Sequence, residues 1–72
     1  MAQQVRTTMI LRRKEVELRT GLSRSTIYER IRLGTFPAPI PLGPRSVGWV
    51  EEEIDAFLAD RIAERDRSKT GR

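Results

Sequence analysis

The side chains with the greatest chemical reach in this 72-residue chain are arginines and hydroxyls, and they gather in one short stretch. Arg24, Ser25, Thr26, Tyr28 and Arg32 stand close together between Ser23 and Gly34. Guanidinium groups donate to phosphates or to guanine edges, and hydroxyls pair with phosphates or with either kind of base. The same set would also make an ordinary solvated helix face. Other chemistries find fewer residues. The chain has no histidine and no cysteine, so it lacks the usual nucleophile–base pairs and the commonest zinc ligands. Its densest carboxylate group is Glu51, Glu52 and Glu53, which the positive end of a helix dipole explains without a metal. Gly43-Pro44-Arg45 lacks the lysine and glycine spacing of a phosphate loop. No cofactor is called for, and nothing supports an enzyme.

The elements that position these residues can be read from caps and spacing. Ser23 is a good N-cap and Gly34 a good stop, so a helix is predicted over 23–33. Ile27 and Ile31, four apart, share its inner face with Leu22 packed before the cap. Ser25, Thr26, Glu29 and Arg32 lie opposite, flanked by Arg24, Tyr28 and Arg30. An earlier helix is predicted over 12–20, with Val16 and Leu18 as inner residues and Glu15, Glu17 and Arg19 as outer ones. Two short helices joined by a turn containing Gly21 make a helix-turn-helix.

Beyond Gly34, Pro37, Pro39 and Pro41 exclude a helix. In an extended strand they remove donors from one edge only, so the segment pairs with a single neighbour. Gly43-Pro44-Arg45 supplies the turn and residues 46–49 the return strand, which gives a two-stranded hairpin with Arg45 near its tip. Residues 9–11 are too short for more than one bridge of strand. The last helix is predicted over 51–65: Ile54, Phe57, Leu58 and Ile62 form one stripe, and Arg61 and Arg65 sit near its negative end. Neither Trp49 nor Val50 has a side-chain oxygen to cap it. Trp49 reads as core rather than as a stacking platform, packed with Phe57 and Leu58 against Ile27 and Ile31. Residues 1–8 form an expected flexible arm and 66–72 an expected flexible basic tail, leaving one domain over 9–65. The fold class is mainly α with a small β-hairpin, in the order helix-helix-hairpin-helix of a winged helix-turn-helix.

Charge sharpens the functional reading. The net charge is +4 and the pI about 10.7. Residues 1–45 hold nine basic and three acidic side chains, whereas 46–60 hold five acidic and no basic ones. A basic front half suggests a polyanionic partner. No apolar run approaches the ~20 residues of a membrane span, and no signal-peptide core opens the chain, so a cytoplasmic protein without membrane partners is expected.

Several linked motifs then resemble one family. They are Leu11-Arg12, Lys14-Glu15-Val16, the run from Thr20 through Gly21-Leu22-Ser23 to Tyr28, Phe36-Pro37-Ala38-Pro39, the run from Leu42 to Trp49, and Glu53-Ile54-Asp55-Ala56-Phe57-Leu58. In this order they resemble the AlpA-type phage regulators, small winged helix-turn-helix proteins similar to phage excisionases and to the DNA-binding part of MerR regulators. The resemblance implies transcriptional control of prophage or integrative-element genes through double-stranded DNA. It implies a second helix in the major groove and a wing at 43–46 on the backbone or minor groove. The implied contacts are Arg24, Ser25, Thr26, Tyr28, Arg32 and Arg45, with Lys14 joining from the basic start of the first helix. Tyr28 keeps a second reading, its ring packed on the hairpin with the hydroxyl outward, and Arg32 is equally a solvated arginine. Arg13, Glu17 and Arg19 stand where these proteins often carry an apolar residue. Two alternatives remain open: an excisionase-like factor that bends DNA, and a protein-interaction module using the acidic last helix. The last helix is too poor in apolar residues past its second turn for a coiled coil, so a monomer is expected, with side-by-side binding on DNA as an option. No small-molecule pocket is evident.

Overall fold

A computed structural model describes residues 8–70, so most of the expected N-terminal arm and the end of the expected tail lie outside the described residues. The elements are β1 (Ile10–Leu11), α1 (Arg13–Thr20), α2 (Arg24–Leu33), β2 (Ile40–Gly43), β3 (Ser46–Val50) and α3 (Glu51–Thr70). The arrangement is a winged helix-like fold of three helices and a small antiparallel sheet. Both early helices stop where local chemistry stops them. Gly34 takes φ 79° and its N–H turns back to the carbonyls of Arg30 and Ile31, a left-handed cap that a side chain resists. Between α1 and α2, the Thr20 hydroxyl donates to the Val16 carbonyl at 2.8 Å and accepts from the Leu22 N–H at 3.2 Å. That one side chain ties the turn to both helices.

The sheet has three strands in the order β1-β3-β2, not the two of the expected hairpin. Ile10 pairs with Val50 and Leu11 with Trp49, so the 9–11 segment forms two bridges where one was expected. The pairing reaches one residue further: the Glu51 N–H donates to the Met9 carbonyl at 2.9 Å. A strand carbonyl therefore serves a free N–H at the start of α3, the role that neither Trp49 nor Val50 has an oxygen to fill. β2 lies at the outer edge, as its prolines require, and its register shifts between Pro41 and Gly43. β3 is the shared strand, and Gly48 in it is buried between its neighbours. A Cβ at Gly48 would stand 2.4 Å from Ile10 Cγ2 and 3.3 Å from the Leu11 carbonyl oxygen.

Leu11, Val16, Ile27, Phe36, Trp49 and Ile54 form the buried core, with Leu22, Ile31, Val47, Phe57 and Leu58 packed around it. Every element except β2 contributes, and Phe36, from the α2–β2 connection, adds a wall. Phe36 meets Phe57 edge-on at 4.7 Å between ring centroids. Trp49 is fully buried, and its indole N–H donates to the Pro37 carbonyl at 3.0 Å. The indole thus pins the proline-rich connection to the core, as a buried tryptophan needs a partner for its N–H.

Two further expectations change, both on the helices. Leu18 is 84% exposed rather than inward. Residues two apart on a helix project about 200° apart, so only one of Val16 and Leu18 can face the core, and Val16 does. α3 runs to Thr70, past its expected end near Arg65, although Ile62 at the end of the stripe is 51% exposed. Short-range pairs such as Arg67 with Glu64 accompany the added turns. The polar residues of α1 that depart from the resemblance are accommodated as ion pairs: Arg13 reaches Glu17 at 3.0 Å, and Arg19 reaches Glu51 at 2.9 Å and Asp55 at 3.8 Å. The glutamate cluster at the start of α3 therefore also ties α1 to α3. No helix among the described residues is long and apolar enough to cross a membrane.

Candidate nucleic-acid interface

The Ser23 cap sets the direction from which α2 presents its side chains. The Ser23 hydroxyl oxygen accepts from the Thr26 N–H at 3.3 Å, and its O–H donates to Thr26 Oγ1 at 3.1 Å. Thr26 is thereby half-buried within the cap, while Arg24 and Ser25 stand exposed at the first turn. One turn later, Tyr28 lies with its ring edge-on to Trp49 at 6.2 Å and flanked by the Arg24 guanidinium at 6.0 Å. The ring packs on the hairpin through Trp49 and is still 39% exposed. Core and cation together hold it in place.

The wing tip is equally constrained. Gly43 pairs with Ser46, which leaves Pro44 and Arg45 as the two turn residues. Proline suits the first position, but the second requires a left-handed backbone, and Arg45 adopts it with φ 61°. Among the described residues no other non-glycine has positive φ. Such a conformation costs a residue with a side chain roughly 1–2 kcal/mol.

Arg12, Arg13, Lys14, Arg24, Tyr28, Arg45 and Val47 line a single recess of about 400 Å³. It lies where the start of α1, the start of α2 and the wing meet. No carboxylate lines it. Within it Arg13 is neutralised by Glu17, and elsewhere Arg19 is paired with Glu51, Arg32 with Glu29, Arg65 with Asp66 and Arg67 with Glu64. Arg12, Lys14, Arg24 and Arg45 make no ion pair among the described residues. Four unneutralised cations and a tyrosine around one concavity can receive an anion from several sides.

Of the residues singled out in the sequence, Lys14, Arg24, Tyr28 and Arg45 meet at this recess. Ser25 is exposed on the same turn of α2 as Arg24 but does not line it, and Thr26 is engaged in the cap. Arg32 stands at the far end of α2, held by Glu29 at 2.5 Å. Arg12 and Arg13 join the recess without having been singled out one by one; the signal was the basic triplet 12–14, and what it lacked was the place where β1 delivers that triplet.

Comparison with known proteins gives the family. The family described as prophage CP4-57 regulatory protein (AlpA) matches residues 9–62, a span that holds every strand and helix described above up to the middle of α3. An uncharacterized protein of Enterobacteria phage P4, ORF88, is 53% identical over 57 residues, or 79% of this chain and 65% of that protein's length. The DNA-binding transcriptional activator AlpA of Escherichia coli (strain K12) is 43% identical over 58 residues, or 72% of this chain and 83% of that protein. On the extent of these matches, the chain belongs to the AlpA family of prophage regulatory proteins.

Proposed function

We propose that this chain is a sequence-specific DNA-binding regulator of transcription, acting on prophage or integrative-element genes. The observation that carries the reading is the convergence of Lys14, Arg24, Tyr28 and Arg45, from three separate segments, on one recess without a carboxylate. Membership of the AlpA family supports it, as does the relative whose name describes a DNA-binding transcriptional activator. In this reading α2 lies in the major groove, which is wide enough to admit a helix. Arg24 and Ser25 face base edges or phosphates from its first turn, and the Tyr28 hydroxyl meets a phosphate. Thr26 acts mainly through the cap that orders that turn. Arg32 exchanges Glu29 for the DNA backbone farther along. The wing brings Arg45 to the backbone or minor groove. The binding unit is a single chain, and copies can lie side by side on DNA.

The experiment is selection from a pool of random duplexes at two salt concentrations, followed by sequencing. An enriched motif that persists at the higher salt is expected. Binding that fades with salt and enriches nothing would reduce the interface to a basic surface, and would give the lead to a protein-interaction role for α3.

A further inference from the structure

We infer that the groove between α3 and the connection leaving α2 binds a basic peptide segment of a partner protein, with one apolar side chain seated between two cations. The groove holds about 500 Å³ and opens to solvent. Its floor is apolar: Phe36 and Pro37 from the connection, Ala56 and Phe57 from α3. The two phenylalanine rings meet edge-on at 4.7 Å, which fixes the floor to the core. Pro37 and Phe57 are only half-buried and Ala56 is exposed, so apolar surface is left uncovered there. The charged groups lining the groove are carboxylates, Glu53 and Asp60, with no arginine or lysine beside them in the lining. Ala56 lies three residues after Glu53 and four before Asp60, so all three share one face of α3. Its small side chain keeps the space between the carboxylates open. Among the described residues neither Glu53 nor Asp60 makes an ion pair, whereas Glu17, Glu29, Glu51, Glu64 and Asp66 each hold an arginine. The helix dipole favours Glu53 but acts only within the first turn, so it does not account for Asp60 in the middle of α3.

Charge selects the occupant. Carboxylates repel the phosphates of nucleic acid and of anionic membranes and attract lysine and arginine, while the floor takes an aliphatic or aromatic side chain. Glu53 and Asp60 are seven residues apart, about 10.5 Å along the helix axis. An extended peptide covers that distance in about three residues, which sets the spacing of its two cations. Arg30 and Arg61 border a neighbouring hollow that shares Asp60 and Phe57. Glu53 has no arginine in either lining and is therefore the stronger anchor. The groove shares no residue with the cationic recess. The recess opens at the first turns of α2 and the groove at Gly34 beyond its end, about 15 Å along the helix. The inference thus stands apart from the DNA reading, and both sites can be filled at once.

The test is selection of a displayed random-peptide library on the immobilised full chain, without DNA because basic peptides would bind the DNA itself. The expected consensus is an apolar residue between two lysines or arginines about three positions apart. The selected peptide, synthesised and labelled, should shift backbone amide resonances at 34–37 and 53–60 and leave those of the recess in place. Glu53→Gln with Asp60→Asn should weaken it by roughly fivefold, the size of two exposed ion pairs, with Glu53→Gln giving the larger share. Ala56→Leu, which fills the groove from an exposed helix position, should weaken it at least as much. All these variants should keep the wild-type Tm, so the losses would not come from unfolding. Selection on Glu53→Lys with Asp60→Lys should yield acidic flanks in place of basic ones. A consensus without basic residues, no consensus at all, shifts confined to the recess, or variants that bind like the wild type would each overturn the inference. So would displacement of the peptide by spermidine at equal charge concentration, which would make the groove a site for free polyamine.

Discussion

Gly48 shows how much rests on a missing side chain. Its place in β3 lets Ile10 on one side and Leu42 on the other approach until an added Cβ would stand 2.4 Å and 3.0 Å from their methyl groups. Ile10 Cγ2 is attached to a β-branched carbon and has little freedom to move away. Gly48→Ala should therefore lower stability by about 1–3 kcal/mol by overpacking, read as a shift of the denaturant midpoint. Ile10→Ala in the same chain should recover part of the loss, because the two sites share one contact. This glycine is not legible in the sequence. A helix-ending glycine such as Gly34 announces itself by following an amphipathic run, whereas Gly48 depends on a strand that arrives from 38 residues earlier in the chain. The candidate site divides the same way. Arg24, Tyr28 and Arg45 are visible as charge and aromaticity at the ends of local elements. That Thr26 is absorbed by the Ser23 cap follows from hydroxyl geometry that the sequence alone leaves open.

The helices show which parts of the fold are local. α2 and the start of α3 agree with the sequence reading because caps, spacing and dipole complementarity act within a few residues. α1 is harder. Its eight residues offer Val16 and Leu18 as rivals, and the choice is made chiefly by β3, which lies far away in the chain. The choice can be tested on the element itself. Val16→Ala should cost about 1–3 kcal/mol as a core truncation, whereas Leu18→Ala should stay within about 0.5 kcal/mol, both by denaturant unfolding. Equal losses would mean that α1 is rotated from the orientation described. The sheet was legible only in part for a related reason. A hairpin is written in consecutive residues, and the prolines of β2 mark it as an edge. A two-residue strand has almost no pattern of its own and forms because β3 has a free side to pair with.

At the scale of the molecule, basic and acidic groups gather in different places. The recess collects cations at one end of α2, while α3 opens with Glu51, Glu52 and Glu53, of which Glu51 is bound to Arg19. Past Leu58, α3 has only Ile62 as a large apolar residue among the described side chains, and Ile62 is half exposed. One such residue over the later turns is too little for a coiled-coil seam, which needs apolar positions sustained over several heptads. Sedimentation equilibrium at moderate salt should therefore give the monomer mass of about 8.3 kDa across tens of micromolar; a dimer mass would require an interface elsewhere. The β3–α3 joint has a further consequence. Val50 is still paired in the sheet when Glu51 begins the helix, so no loop separates them. The angular phase of α3 about its own axis is then set by the pleat of β3. One residue inserted after Val50 would turn the helix by about 100° and carry Ile54 out of the core. One residue inserted after Ile62 would leave Ile54, Phe57 and Leu58 in phase. The chain can thus be lengthened, or fused to another domain, beyond Ile62 but not at the joint.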